Sequence, residues 1–577
     1  MSLRPEEWPE VPELTARVAR AAAARGAPPL AMRVRDELGA LFADAEFAVA
    51  FGRRGRRGWS PGRLAMVTVL QMAENLTDRA AVQRVRFDLS WKYCLGLELE
   101  DVGFDASVLS EFRTRVVEHG LEERVLDLLV VALKEKGLVK AGGKQRTDST
   151  RVLAAVRELN RLELAGESVR AALEALSAAD PTWVAQALEV REWNRRYGRR
   201  IDASWRPPGS QAQRDELALD YGRDAVALLK AVYRPSTPMW LRELPAVQVL
   251  RQITVQNYLI ATDSGGSEVV KRREADKDGL PPGRLRLTSP YDLDARYGTK
   301  RDLHWTGYKL HISEVCHPAR PDDQTSHTGR RARPPVPNMI THVATTDATV
   351  PDVKLVEPVH QALAARGLLP AEHYLDSGYA SAELIVGAHT TFGITLVTPL
   401  LTGTSRLHQE NTAYQREAFT IDWDVRRATC PQGATSRFWS PTQHKGRDMA
   451  VVRFDQADCG PCPARALCTK ATRWGRQLTL RPRPLQELVE ANHTAQETLE
   501  WQAKYALRAG VEDTIRQAMA VTGSRRARYR SLGKTHLEHV YSAIALNLIR
   551  LDAWWNGQPL DHTRTSHLAR LDLTLAA

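Results

Sequence analysis

The sequence predicts an α/β protein of several parts: a helical N-terminal region, a core of mixed strands and helices, and two inserted modules. Three observations predict this class. The first 137 residues show helical periodicity, alternating β-branched runs cluster between residues 304 and 346, and four of the six cysteines fall between residues 430 and 468. A chain of 577 residues is long enough to bury several cores.

Composition and charge narrow the class of partner. The chain is 43% hydrophobic and 26% charged, which is ordinary for a globular protein and excludes a fibrous or broadly disordered one. Its 80 Lys and Arg against 69 Asp and Glu give a net charge of +11. This excess favours a polyanionic partner such as nucleic acid, although arginine enrichment can equally reflect a GC-rich genome.

The ends and cysteines of the chain indicate a compartment. The opening MSLRPEEWPE lacks a basic-then-apolar signal pattern, and no apolar run approaches the roughly 18 residues of a membrane span. We therefore expect a cytoplasmic protein without a membrane partner. In that reducing compartment, clustered cysteines suggest a metal site before a disulfide.

Residues 1–137 form the predicted helical domain. Its candidate helices are Leu14–Ala24, Met32–Phe42, Arg63–Met72, Arg79–Phe87 and Leu121–Lys136. A helix-turn-helix reader of DNA would fit here, but no single segment shows that turn. Between the second and third helices, a glycine-rich loop presents four arginines: Arg53, Arg54, Arg56 and Arg57. A phosphate contact and a solvated basic loop are both consistent with it.

Residues 138–400 form the predicted first part of the core, with a helical insertion at 151–285. The insertion's predicted helices are Leu153–Leu176, Trp183–Arg195 and Arg214–Tyr233, followed by an exposed charged linker that starts at Lys271. The core's predicted strands are His304–Ile312, Met339–Thr346, His373–Asp376 and Ile394–Val397, with a hairpin loop at Pro318–Pro337 and a helix at Val353–Ala364.

Two aspartates in this region are candidate site residues. Asp148 follows a glycine turn in an extended Thr-Asp-Ser-Thr stretch, where it could also cap a following helix. Asp376 ends a strand in Leu-Asp-Ser-Gly-Tyr, and ligands of open α/β sheets collect beyond such strand ends. A capping role in the turn is the alternative. Other acids lack a matching motif: Asp292, Asp294, Asp302, Asp347 and Asp352.

Residues 401–480 form the predicted four-cysteine module. The pattern is Cys430-x28-Cys459-x2-Cys462-x5-Cys468. Four soft ligands fit a closed tetrahedral Zn2+ site, against free thiols or a disulfide pair as the alternative. The two remaining cysteines, Cys94 and Cys316, have no such partners and are predicted to be buried.

Residues 481–577 form the last part of the core. At helical period, Tyr505, Arg508, Glu512 and Arg516 share one stripe, and a separate apolar stripe can dock the helix. An ordinary surface helix with Arg/Glu pairs is the alternative. A basic segment follows with Arg525, Arg526, Arg528, Arg530 and Lys534 around a tyrosine. It suits a DNA backbone or, alternatively, a solvated loop.

Three of these motifs together resemble one family. Tyr505-x2-Arg508-x3-Glu512 resembles the third-acid motif of DDE transposases from bacterial insertion sequences. The stretch from Asp376 to Tyr379 resembles their second-acid motif, Asp-x-Gly-Tyr, and the stretch around Asp148 resembles the first strand of their RNase H-like fold. In the family, a Lys stands seven residues after the Glu. Here that position is Met519, with Arg516 as the candidate replacement.

The resemblance implies a fold and a function. It implies an RNase H-like α/β catalytic core in which Asp148, Asp376 and Glu512 hold two Mg2+ (or Mn2+) ions, with Tyr505 and Arg508 orienting phosphates. It implies cleavage at the element's ends and joining to target DNA. Similar cysteine patterns occur in this transposase group, which supports the structural Zn2+.

The resemblance also implies partners and leaves alternatives. The partners are double-stranded DNA, as terminal inverted repeats and target, and a second copy of the chain in a homodimer on DNA. The location is the bacterial nucleoid. A catalytically inactive DNA-binding relic and a metal-dependent nuclease of the same fold remain alternatives.

Overall fold

The structure is a computed structural model that describes residues 2–201, 209–317, 336–401, 414–444, 446–471 and 473–557. The hairpin loop predicted at residues 318–337 lies outside the described residues except for its last two positions. Within the described part, no helix is long and apolar enough to cross a membrane.

Helices fill the N-terminal part, as predicted. They are α1 (Glu13–Ala23), α2 (Leu30–Leu38), α3 (Pro61–Ala73), α4 (Asp78–Phe87), α5 (Leu89–Leu95), α6 (Ser107–Glu118) and α7 (Glu122–Glu135). The helix predicted to reach Phe42 ends at Leu38, because Gly39 follows with a φ of 65° and stops the helical path. The start of α3 is fixed by Ser60, whose side chain accepts a hydrogen bond from the Arg63 amide.

A long strand and a helical insertion come next. These elements are β1 (Lys144–Leu153), α8 (Arg161–Ala179), α9 (Pro181–Ala187), α10 (Val190–Tyr197), α11 (Gln211–Val232), α12 (Pro245–Asn257), β2 (Tyr258–Thr262), β3 (Glu268–Arg272) and α13 (Ala275–Asp278). The helix predicted from Leu153 begins only at Arg161, because β1 runs through Leu153 and Asn160 forms a capping box with Glu163. The predicted linker from Lys271 instead begins inside the β2–β3 hairpin.

The remaining core elements lead to the predicted strand ends. They are β4 (Arg296–Lys300), β5 (Leu303–Val315), β6 (Ile340–Asp347), α14 (Val356–Ala365), β7 (Glu372–Leu375), α15 (Ala382–Phe392) and β8 (Thr395–Val397). Together with β1 they build one six-stranded sheet in the order β4-β5-β1-β7-β8, with β6 also paired to β5. The β5 strand is antiparallel to β1 and β6, whereas β7 is parallel to both β1 and β8. This mixed sheet is compatible with the predicted RNase H-like core.

The four-cysteine module has its own small sheets and core. Its elements are β9 (Thr420–Asp422), β10 (Arg427–Thr429), β11 (Phe438–His444), β12 (Arg447–Arg453), α16 (Gln456–Cys459), α17 (Arg465–Cys468) and β13 (Gln477–Leu480). The β9–β10 pair and the β11-β12-β13 sheet enclose buried Phe419, Val452 and Leu480. These residues therefore have an apolar core of their own, and their division from the rest of the chain as an inserted module stays a prediction.

Helices complete the described chain. They are α18 (Arg483–Gln496), α19 (Leu499–Ala506), α20 (Gly510–Val521) and α21 (Leu532–Trp555). The single helix predicted through Tyr505 and Glu512 is wrong, because a 3-10 turn at Leu507–Ala509 separates α19 from α20. At this turn the Leu507 carbonyl accepts a hydrogen bond from the Arg146 side chain at 2.7 Å.

One apolar core joins the N-terminal helices to the sheet. Buried Leu70 of α3, Leu129 of α7, Leu310 of β5 and Ile544 of α21 all belong to it. The α21 helix is buried over most of its length, because apolar residues recur along it at helical spacing. The helical insertion keeps a separate core that includes Val169, Leu228 and Val247. The N-terminal helices and the sheet therefore share one apolar core, whereas the buried residues of the insertion form a separate one.

Candidate active site

Two of the three candidate acids lie on neighbouring strands. Asp148 is on β1, as the strand alternative predicts, and Asp376 follows the last residue of β7. The parallel register pairs Thr147 with Leu375, so each aspartate stands one residue beyond that pair. Parallel pairing thereby places both acids side by side at the same edge of the sheet.

The turn that holds Asp376 explains its motif. The Asp376 side chain accepts a hydrogen bond from the Gly378 amide at 2.8 Å and so starts a 3-10 turn. A Cβ at Gly378 would lie 3.0 Å from Asp376 Oδ1, which leaves little room for any other residue. Tyr379 is fully buried and its hydroxyl is 2.6 Å from Nδ1 of His311 on β5. The capping role and a catalytic role are thus compatible at Asp376.

Arg508 joins the third acid to the first. One nitrogen, Nη1 of Arg508, lies 3.3 Å from Asp148 Oδ2 and 3.3 Å from Glu512 Oε1. The Arg508 side chain is 14% exposed, so this contact is sheltered, whereas Glu512 is exposed to solvent. Asp148, which is 360 positions from Arg508 in the sequence, is therefore linked to Glu512 through a single guanidinium.

The electrostatics of the site reflect three crowded acids. Burial raises the pKa of Asp148 to about 6; Arg508 opposes this rise and Asp376 adds to it. Burial also raises the pKa of Tyr505, and the charges of Asp148, Asp376 and Glu512 act in the same direction. Tyr505 therefore lies within electrostatic range of all three predicted acids and of Arg508.

A buried ionic network positions the third-acid helix. Glu314 on β5 is fully buried between Arg146 of β1 and Arg550 of α21, at 2.7 and 2.8 Å. Thr514 of α20 donates a hydrogen bond to the same carboxylate at 2.6 Å. A Cβ at Gly510 would lie 2.1 Å from the Arg146 guanidinium, so only glycine permits this approach. The network ties Glu512's helix to the strand of Asp148.

A fourth acid, Asp352, borders the site, although no sequence motif identified it as a candidate. Asp352 accepts a hydrogen bond from Ser149, the neighbour of Asp148, at 2.9 Å, and pairs with Lys309 at 2.9 Å. A Cβ at Gly378 would lie 3.6 Å from Asp352 Oδ2, so the carboxylate also adjoins the Asp376 turn. No local motif marks Asp352, because its partners come from β1 and β5. The Asp352–Lys309 pair buttresses the turn region beside both aspartates.

The three acids offer the right donors for a divalent cation. Carboxylate oxygens are the hard ligands that Mg2+ and Mn2+ prefer, and a buried acid with a raised pKa is short of a cation. In the described residues, however, no three His, Cys, Asp or Glu side chains are grouped closely enough to hold a metal ion. The guanidinium of Arg508 stands between two of the acids instead. The donor chemistry fits the ion, and Arg508 supplies the counter-charge.

The four cysteines of the module surround one cavity. Cys430, Cys459, Cys462 and Cys468 are free thiols that line a cavity of about 320 Å3. The Arg476 amide lies 3.4 Å from Cys459 Sγ, the kind of contact that orients thiolate ligands. Burial raises the pKa of Cys468, whereas Arg476 lowers it. All four thiols border this cavity, but among the described residues no three of them are grouped closely enough to hold a metal ion.

The predicted DNA-contacting cations fall into two groups. Arg53, Arg54, Arg56 and Arg57 are exposed, and Arg57 pairs with Glu6. In the later segment, Arg525 donates to the Arg151 carbonyl, Arg526 to the Ala154 carbonyl and Arg528 to the Leu76 carbonyl, while Arg530 stacks over Tyr291 and Lys534 is half-buried. These contacts brace the segment against the sheet and the N-terminal helices.

The helix after Glu512 places its two remaining candidates apart. Arg516 is 77% exposed and pairs with Asp513 at 2.8 Å, which turns it toward solvent and away from Asp148. Met519, at the position of the family's lysine, packs against the main apolar core. Arg516 therefore has no contact with the acids among the described residues, and the Met519 side chain cannot supply a cation.

Comparisons with known proteins bear on this geometry. A family model described as a transposase DDE domain matches residues 429–552, which include Glu512 and the four cysteines. A second, described as a transposase domain (DUF772), matches residues 24–115, from just before α2 into α6. Neither the curated proteins nor the solved structures contain a match. The matches favour neither an inactive relic nor a plain nuclease. Two separate segments of the chain thus match transposase families, and these matches support a DDE-type transposase of an insertion sequence, a polynucleotidyl transferase whose partner is DNA.

Proposed function

We propose that this transposase cleaves DNA at the ends of its element and joins them to target DNA, with Asp148, Asp376 and Glu512 as catalytic residues. The single observation that supports the assignment best is the Arg508 nitrogen shared by Asp148 and Glu512, since Asp376 lies on the adjacent strand. A scattered set of surface acids would not share one sheltered cation.

The three carboxylates would hold divalent ions, Mg2+ or Mn2+. When bound, such ions would supply Lewis-acid stabilisation to the attacking and leaving oxygens of an in-line phosphoryl transfer. Arg508 and Tyr505 border the same acids, so they are placed to orient a phosphate group that enters the site. Arg508 also limits the mutual repulsion of Asp148 and Glu512 before substrate binds.

A basic cleft beside Asp148 supports DNA as the substrate of this site. The cleft has a volume of about 430 Å3 and begins at Ser149. Four cations line it: Arg151, Lys300, Lys309 and Arg525. The lining also includes Asp352, which pairs with Lys309, so positive charge still exceeds negative charge in the cleft, as suits a phosphodiester backbone. We assign to this cleft one strand of the bound DNA.

The proposal extends to partners and to the module. Two element ends must be brought together, so we propose a homodimer on DNA, with the bacterial nucleoid as its location. The exposed arginines between α2 and α3 would contact phosphates. The four cysteines would hold a structural Zn2+ that fixes the module. Separate measurements test each of these parts.

The decisive experiment compares cleavage with binding. DNA carrying the element's ends is incubated with Mg2+ and wild type, Asp148→Asn, Asp376→Asn or Glu512→Gln. We expect each variant to lose at least a thousandfold in cleavage rate and to keep DNA affinity within a few-fold, because removing one carboxylate removes a ligand of the reacting centre. Asp513→Asn is the matched control, since Asp513 is exposed, adjacent to Glu512 and paired with Arg516.

Cleavage at the wild-type rate by Asp376→Asn would end the assignment of that residue. Pre-cut element ends mixed with supercoiled plasmid test the joining step separately. Joined products are expected from a transposase. Cleavage without joined products would instead favour a nuclease of the same fold.

A further inference from the structure

A large cleft separates the Asp376 turn from the four-cysteine module. Its volume is about 720 Å3, and Ser377 and Gly378 of the turn line one wall. The opposite wall comes from the module and from Val489 and His493 of α18. A second cavity of about 340 Å3 shares Arg447 and Arg481 with it. We call these two joined spaces the module cleft.

The module cleft is strongly basic. Its charged lining residues in the described part of the chain are four arginines, Arg416, Arg447, Arg476 and Arg481, and two glutamates, Glu383 and Glu417. Burial lowers the pKa of His493, so the imidazole adds no charge near neutral pH. Positive charge therefore exceeds negative charge in a concave space, which concentrates anions there.

Several of its donors lack a partner. Nε of Arg416, Nε of Arg476 and Nε2 of His493 are buried and make no hydrogen bond within the described structure. Arg481 has neither a side-chain hydrogen bond nor an ion pair with another described residue. Buried donors without partners cost free energy, and a cluster of them around one cavity points to a ligand that accepts hydrogen bonds.

Two of the arginines are held in place by the module itself. Arg476 donates to the Cys468 carbonyl at 2.6 Å, beside the cysteine cavity, and Arg416 pairs with Glu417 at 2.8 Å. Arg447 reaches across the cleft to Glu383 of α15 at 3.3 Å. The cysteine module thus presents a fixed set of cations toward the turn that holds Asp376.

We propose that the module cleft binds phosphodiester groups of the DNA strand next to the reacting phosphate, so that the four-cysteine module clamps DNA against the Asp376 turn. The inference rests on the proposed function, because it assumes DNA at the acids. A single phosphate would leave most of a 720 Å3 space empty, whereas a stretch of DNA backbone offers several phosphates to the four arginines. The basic cleft adjoins Asp148 through Ser149, and the module cleft adjoins Asp376 through Ser377.

The salt dependence of binding tests this clamp. Fluorescence anisotropy with a labelled generic duplex, without added Mg2+ and at several salt concentrations, gives the slope of log K against log salt. Each lost phosphate contact lowers that slope by about 0.9 in magnitude. We expect Arg481→Gln to lower it by about one contact and the Arg447→Gln/Arg481→Gln double variant by about two. Arg437→Gln is the control, because Arg437 is an exposed arginine of the module that pairs with Asp455 outside the cleft.

Two further measurements distinguish a phosphate contact from a folding defect and from a free phosphate site. The Arg447→Lys/Arg481→Lys variant keeps the charges and should recover most of the slope, which a folding defect would not do. Pyrophosphate titrated as the probe separates a free phosphate site from a DNA site. A wild-type slope in the double variant, or an effect confined to pyrophosphate, overturns the clamp. Asp376→Asn should keep the wild-type slope while losing cleavage, so the failure of either proposal is visible separately.

Discussion

Arg508 shows how one residue can define a site that sequence alone left dispersed. Its guanidinium contacts both the sheltered Asp148 and the exposed Glu512, and without it the buried Asp148 carboxylate would lose its cation. The helical stripe predicted the Arg508–Glu512 contact, since i,i+4 neighbours meet on a helix. The contact with Asp148 depends on how the helix docks on the sheet, which the local sequence does not encode.

Gly510 gives a prediction at a single position. Gly510→Ala would place a Cβ 2.1 Å from the Arg146 guanidinium, which Glu314 and the Leu507 carbonyl hold in place. We expect the free energy of unfolding to fall by about 1–3 kcal/mol, as for other overpacked sites, with a parallel loss of cleavage. Urea unfolding measures the first and the end-cleavage assay the second.

Gly387→Ala is the matched control for that substitution. Gly387 is inside α15, and a Cβ there would meet nothing within 4 Å. Its stability should stay the same or rise by up to about 1 kcal/mol. Equal effects at the two glycines would contradict the close approach at Gly510.

Glu538 gives a pH-dependent prediction. Burial raises the pKa of Glu538 to about 7, against the opposing Arg528 amide and the charge of Arg528. The unfolded chain has the ordinary lower pKa, so the folded state loses stability as the pH rises from about 4.5 through about 7. Glu538→Gln should therefore stabilise the protein by up to about 3 kcal/mol at pH 8 and by little at pH 4.5. Thermal denaturation at both pH values measures this, and an equal Tm shift at both would refute it.

At the scale of elements, side-chain contacts between the strands and the helices hold the helix of Glu512 against the sheet. The Glu314 network links β1, β5, α20 and α21 through side chains buried from water. A buried carboxylate between two arginines is costly to break, because it leaves cations without a counter-charge. The helices that flank Glu512 are therefore oriented by a polar contact under the site.

Glu314→Gln tests this connection. The substitution leaves Arg146 and Arg550 beside a neutral amide, and we expect a loss of about 3–5 kcal/mol in stability. Variant protein that remains folded should cleave more slowly while its DNA affinity changes little, because the third acid is misplaced. Glu268→Gln removes an exposed partner of Lys230 and should change stability by less than about 1 kcal/mol. A folded Glu314→Gln variant with full activity would exclude the positioning role.

The cysteine module makes a prediction of its own. If its thiols hold Zn2+, purified protein should contain stoichiometric zinc by elemental analysis, and Cys462→Ser should lose it. The Cys94→Ser variant is the control, since Cys94 is buried alone in the N-terminal helices, where burial raises the pKa of its thiol to about 12. Wild-type protein without zinc would remove the metal from this proposal while leaving the catalytic assignment intact.

At the scale of the whole molecule, the N-terminal helices and the sheet share one apolar core. Their apolar side chains lie in one core around α21, whereas the helical insertion and the cysteine module keep their own cores. The predicted boundary at residue 137 stays a prediction about domains, but the buried contacts of Leu129 and Ile544 cross it. DNA held by the N-terminal arginines would therefore be connected rigidly to the acids on the sheet.

Much of the fold was predictable because its signals are local. Periodicity predicted most helices, and β-branched alternation predicted β5 and β6. The prediction was wrong where a distant contact overrode the local pattern, as at the turn after Ala506, where Arg146 takes the Leu507 carbonyl. It also missed the β2–β3 hairpin, whose charged residues resemble a linker because both strands are largely exposed.

The sequence by itself determined the residue types: three acids in recognisable motifs, a basic composition and four clustered cysteines. Only the tertiary structure decided which groups meet, among them Arg508 with Asp148, Glu314 with its two arginines, and the cations of the module cleft with the Asp376 turn. The physical reason is the sequence separation over which the interactions act. Motifs and periodicity express interactions between residues a few positions apart, whereas burial, shared counter-charges and unpartnered donors arise between segments hundreds of residues apart.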